Sequence, residues 1–173
     1  MLTAAERLAP HAVTDSAGPN DQDDPVSSFD PVIPPLELVP LARATVGLAE
    51  PFVIPDTPAG TLLIFEVTSA VFEGDRLRGH MVGNAAADWL RMSPNGVGTL
   101  DVRCTLETDD GALIYVAYNG RLNTAAEQVF VYGTPQFNTG DERYAWLNAI
   151  QCVYKGVGSD DTRHLVYDCY ELR

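Results

Sequence analysis

An antiparallel β-barrel of about eight strands, with one or two short helices, is the fold that this sequence predicts. Two observations carry that expectation. Short segments of alternating or clustered apolar residues recur from residue 36 onward, each followed by a turn signal, and helical periodicity is almost absent. Many short strands punctuated at this rhythm argue a sandwich or a closed barrel.

The chain divides into an arm, 1–35, and a barrel domain, 36–173. Ten of the twelve prolines fall within residues 1–58, and proline has no amide to give to a ladder. Stretch 15–35 is rich in Asp, Pro, Ser, Asn and Gly and has no core of its own. Thr3 and Glu6 have the spacing of a capping box, so a short helix is expected there. The arm is expected to dock on the barrel or on a neighbouring subunit, which would give a homodimer or larger assembly.

A first strand region is read at 36–39 and 43–46, broken by Pro40. Strands follow at 61–68, 76–82, 99–107, 112–118, 127–132, 148–155 and 162–172. Asp109, Asp110 and Gly111 form the clearest turn signal, because Gly supplies the positive φ of a tight hairpin. An acidic calcium loop would need further oxygen ligands at regular intervals, which are missing. A second short helix is expected over 140–148, where Thr139 and Glu142 repeat the capping-box spacing.

Composition narrows the function. At 173 residues and 46% hydrophobic, the chain can bury a core of ordinary size. Its net charge of −13 opposes nucleic-acid and anionic-lipid binding, and no basic stripe offsets it. The longest apolar runs are far shorter than the roughly 20 residues a membrane helix needs. With no secretory pattern at the start, the expected compartment is the cytoplasm. Cys104, Cys152 and Cys169 are far apart and read as small apolar core residues. His11, His80 and His164 lack metal-ligand spacing, and no nucleophile elbow or phosphate loop occurs. Neither a metal nor a cofactor is therefore expected.

The stretches 57–60, 72–79, 87–89, 100–116 and 137–148 resemble domain-of-unknown-function family 3237, and the likeness spans about residues 36–173. Asp88 with Trp89, the Asp-Gly hairpin, and the run from Tyr144 to Asn148 make it specific. The resemblance implies a compact antiparallel barrel, calycin-like or allene-oxide-cyclase-like, and supplies no activity. His80, Cys104 and Tyr118 depart from the family pattern, which points to an individual pocket.

Several side chains could carry chemistry. On strand 99–107, Leu100, Val102, Cys104 and Leu106 share one face, and Asp101, Arg103, Thr105 and Glu107 the other. The ordinary reading is core against solvent. The functional one puts Asp101 and Arg103 in a lumen, where Arg103 holds a carboxylate or developing oxyanion; the resemblance favours this. Tyr115, across the hairpin, is either packing or a proton donor. Asp88 follows three alanines and precedes Trp89; it either caps a turn or acts as a general base whose pKa is raised by apolar surroundings. Trp89 and Trp146 would shape a cavity, or simply pack. Asn148, with Ile150, Cys152 and Tyr154 on the apolar face of strand 148–155, either binds ligand or pairs with backbone. His80 joins them as a substrate contact.

The expected function is a cofactor-independent enzyme that moves protons on a small, partly apolar organic molecule, of isomerase, cyclase, hydratase or lyase type. A non-catalytic ligand-binding barrel is one alternative. A structural module with a side-chain-filled interior is another. A cavity of several hundred Å³ with inward Asp, Arg and Tyr would favour the first two.

Overall fold

In the computed structural model, residues 31–159 and 163–173 are described. The expected helix at the N-terminus and the docking of the arm fall outside them. Leu36–Arg173 forms one compact unit, and its strands are β1 Leu38–Leu48, β2 Phe52–Thr57, β3 Gly60–Glu73, β4 Gly79–Met81, β5 Ala87–Met92, β6 Val97–Thr108, β7 Leu113–Asn123, β8 Val131–Gly133, β9 Gln136–Asn138, β10 Gln151–Gly158 and β11 His164–Leu172. Every pairing is antiparallel.

Following the pairs around, β3 meets β1, then β11, β10, β8, β7, β6 and β5, and β5 returns to β3. Eight strand positions close on themselves, so the sheet exposes no long unpaired edge. Two positions are shared end to end. β4 and β5 both lie between β3 and β6, and β1 and β2 both run along one side of β3. β9 adds to β7 beyond β8.

The predicted hairpin stands as expected: β6 and β7 pair from Val97 with Asn123 to Glu107 with Leu113, turning at Gly111 with φ +87°. Pro40 does not break β1. The β1–β11 register shifts between Pro40 and Ala42, and that irregularity absorbs the missing amide. β2, β5 and β9 were not predicted; they are short or carry Pro55, Asp88 or Asn138, residues that weaken a strand pattern. The predicted strand 76–82 shrinks to three residues, and 127–132 shifts to 131–133.

The second helix is present as a 3-10 helix, Glu142–Ala149, capped by Asp141, whose side chain accepts from the Arg143 amide. Thr139, expected to cap, instead donates to the Leu113 carbonyl (2.7 Å) and accepts from the Asp141 amide (3.1 Å). Arg143 Nη1 and the Tyr144 hydroxyl both reach the Asp110 carboxylate, at 2.9 and 3.0 Å, tying the helix to the β6–β7 turn. Leu147 is fully buried beneath it, so the helix closes this end of the barrel. The strand read as 148–155 therefore begins only at Gln151, and Asn148 belongs to the helix.

Alternation is strict along β6, whereas β3 is buried at Val67 and next at Ala70, three residues on. Leu100, Val102, Cys104 and Leu106 of β6 face Ile114 and Val116 of β7, with Ala44, Val46, Phe65, Val67, Ala70 and Phe72 across the interior. Among the described residues no helix is long and apolar enough to cross a membrane.

Candidate active site in the barrel interior

Of the two readings of strand β6, core against solvent is the one the geometry takes, and the lumen placement of Asp101 and Arg103 is not found. Leu100, Val102, Cys104 and Leu106 take the interior, so Asp101, Arg103 and Tyr115 stand on the outer wall. Arg103 Nη2 pairs with Asp101 (3.2 Å) and its guanidinium lies 5.5 Å from the Trp89 ring, all outside. Tyr115 is 43% exposed. The physical reason is burial: four apolar side chains stabilise the interior face far more than a charged pair could, and alternation then forces the pair outward.

The remaining residues disperse as well. His80 is exposed on β4, opposite Glu107. Asn148 is exposed, and its amide closes on the backbone: Nδ2 donates to the Thr139 carbonyl and Oδ1 accepts from the Thr139 amide, both at 2.9 Å. Trp146 lies 4.7 Å below the Arg76 guanidinium, at the helix-capped end. There Arg173 and Arg76 clamp the buried Glu171 carboxylate, at 2.8 and 2.5 Å, and hold its pKa down at about 2, the Arg173 hydrogen bond most of all.

Of the candidates named from the sequence, Asp88 alone points in. It pairs across the strands with Phe65 and Val102, and Val102 with Tyr118, so these four form one row of the interior. The β5–β6 ladder omits the pairs between Asp88–Val102 and Arg91–Thr99. In that gap the Asp101 amide donates to Asp88 Oδ1 at 3.2 Å. Burial pushes the Asp88 pKa up to about 7; the Asp101 amide offsets part of that rise, and the Asp101 charge adds to it.

Three tyrosines share this interior. Tyr154 packs edge-on between Tyr118 and Tyr167, with ring centroids 5.1 and 4.5 Å apart. Glycines make room for two of the rings. A Cβ at Gly133 would come within 2.4 Å of the Tyr154 ring, and one at Gly156 within 2.1 Å of the Tyr167 ring. Burial raises the pKa of all three hydroxyls, and the nearby Asp88 charge adds to that rise. The Tyr118 hydroxyl offsets part of it in the other two, yet neither Tyr154 nor Tyr167 makes a hydrogen bond of good geometry. They remain phenols, able to donate. Cys104 and Cys169 border the same space, their thiols pushed up to about 11 and about 12 by burial.

The hollow among these rings measures about 30 Å³, room for one or two waters rather than an organic molecule. The expected cavity of several hundred Å³ is therefore not preformed in the interior. The sequence places Tyr154 on an apolar face and sets Tyr118 apart from the family pattern, without assigning either a role. The missed signal is the small residue opposite each ring, Gly133 facing Tyr154 and Gly156 facing Tyr167 across their ladders.

Fold and interior together define a closed, eight-position antiparallel barrel whose interior holds the Asp88 carboxyl and three phenols among apolar side chains, with Glu171 on the same inward face of β11 as Tyr167. The chain belongs to the family described as protein of unknown function (DUF3237), whose model matches residues 35–172. A β-barrel-like protein from Acinetobacter baumannii AYE is 32% identical, with a TM-score of 0.76 over 84% of this chain and 99% of that one. A conserved protein of unknown function from Rhodopseudomonas palustris is 21% identical, with a TM-score of 0.73 over 82% and 100%. An enzyme from Penicillium herquei is 22% identical, with a TM-score of 0.62 over 84% and 98%. The last two likenesses establish the fold alone. No curated protein matches.

Proposed function

We propose that this protein is a cofactor-independent enzyme that transfers protons to and from a small, partly apolar organic molecule within the barrel. Isomerisation, cyclisation, hydration and carbon–carbon lysis all fit such a step. Asp88 takes the role of general base and acid, because its pKa of about 7 lets it hold or release a proton near neutrality. Tyr154 and Tyr167, protonated and unpartnered, supply donors for a developing oxyanion. Arg103 and Tyr115 have no part in this scheme, since they face away from Asp88.

The observation that carries the reading is the buried Asp88 carboxyl with one amide donor among three buried phenols. Interiors selected for stability alone avoid such a group, because an under-satisfied buried acid costs free energy. The fold hosts an enzyme in Penicillium herquei, but Asp88, not that likeness, supports the assignment here. Substrate entry requires displacement of an aromatic ring, since the hollow is small.

The test is direct. A panel of small enones, diketones and phenols is incubated with the protein in deuterium oxide, and NMR follows exchange of acidic C–H positions. Accelerated exchange is expected for at least one member, rising with pH around 7 and lost in Asp88→Asn. Equal exchange by wild type and Asp88→Asn across the panel would overturn the reading. The 30 Å³ hollow favours a second reading, a filled, non-catalytic barrel. Under that reading no compound exchanges, and Asp88→Asn changes stability only.

A further inference from the structure

A wide concavity lies outside the barrel. It is a groove of about 640 Å³ over β1, β11, β10 and the segment leading into β8, a size within the range of small-molecule sites. Its walls are apolar, with Val153, Val157 and Val166 among the lining side chains.

A cross-strand row runs along it. Arg43 stands opposite Asp168, Asp168 opposite Lys155, Lys155 opposite Tyr132, and Tyr132 opposite Arg121. Glu73 stands opposite Arg43 on its other side, so the row holds three cations and two carboxylates, of which Asp168 is the one beside Lys155, on a chain of net charge −13. Both oxygens of the Asp168 carboxylate are taken by Arg43, at 2.8 and 3.1 Å. Lys155, the sole lysine of the chain, turns the other way and places its ammonium 3.8 Å above the Phe130 ring and 5.7 Å from Tyr132. Aromatic faces attract a cation without neutralising it. A positive charge thus stands uncompensated by any carboxylate contact among the described residues, at the edge of an apolar groove, on a protein whose surface is otherwise acidic.

From this unpaired ammonium beside an apolar groove we infer that the groove is a binding site for a small amphipathic anion: an aromatic or branched aliphatic body carrying a carboxylate or sulfonate. The anionic group meets Lys155, and the body lies against the valine wall. The site is separate from the barrel interior and does not depend on the chemistry proposed for Asp88.

The test uses two fluorescent probes with one ring system between them, 8-anilinonaphthalene-1-sulfonate and the uncharged N-phenyl-1-naphthylamine, titrated into full-length protein. The sulfonate is expected to bind the wild type. Lys155→Met should weaken it about tenfold or more, the loss of one charged contact, while leaving the uncharged probe within twofold. Lys155→Arg should retain binding, and Val157→Glu, an acid in the groove wall, should abolish it for the sulfonate. No sulfonate binding to wild type, or equal binding by wild type and Lys155→Met, would overturn the inference. Sedimentation of the same samples covers the remaining occupant: if Lys155→Met dissolves a dimer instead of displacing dye, the groove is an interface between copies and the small-anion assignment is wrong.

Discussion

Replacing Asp88 by Asn should make the protein more stable, and only above a defined pH. In solvent the carboxyl titrates near 3.8; in the fold burial raises this to about 7. Between those values the unfolded chain has released the proton and the folded chain still holds it, so raising the pH favours unfolding. Above about 7 both states are ionised and the effect stops growing. At about 1.4 kcal/mol per pH unit, the accumulated loss is on the order of 4 kcal/mol. Asn keeps the oxygen that accepts from the Asp101 amide and has no proton to lose. Urea unfolding of wild type and Asp88→Asn from pH 4 to pH 9 reads the difference. The two should nearly coincide at pH 4, diverge through pH 7, and stay several kcal/mol apart, variant above wild type, at pH 8 and 9. Carboxylates with lowered pKa, such as Glu171 and Asp141 at about 2, lose their contribution only at lower pH and are common to both proteins. Parallel curves would mean that Asp88 is not buried and neutral as described, and the catalytic proposal would fall with it.

The other consequences are smaller. Gly133→Ala should cost about 1–3 kcal/mol by overpacking and should disturb the near-ultraviolet dichroism of Tyr154, because the new methyl meets that ring; unchanged stability and spectrum would contradict the interior placement of Tyr154. Arg103→Ala should change urea stability by less than about 1 kcal/mol, since its ion pair with Asp101 is surface-exposed, and should leave any exchange activity intact. Asn148→Ala should cost about 1–2 kcal/mol in the same assay, as it removes both bonds that close residues 139–148 into a loop. Native protein should resist alkylation by iodoacetamide at pH 8, because Cys104, Cys152 and Cys169 are buried with pKa values pushed up to about 11 or about 12.

Much of the architecture was legible in the residues. Alternation over 99–107 and 112–118, joined by Asp109, Asp110 and Gly111, specifies a hairpin because local turn chemistry and side-chain period agree there. β5 was not legible: Ala87 and Asp88 are poor strand formers, and the segment becomes a strand only because β3 and β6 offer edges on both sides. Asp88 could be named a candidate from its apolar neighbours alone. Its partners could not, since Tyr118, Tyr154 and Tyr167 come from three different strands.

Period two in a strand divides residues into faces; the sequence by itself therefore determined that Asp101 and Arg103 lie on one side of β6 and Leu100, Val102, Cys104 and Leu106 on the other. Only closure of the barrel decided which side is inside. The free energy of enclosing the four apolar side chains outweighs any gain from enclosing the ion pair, and that comparison exists only once the other strands have surrounded them.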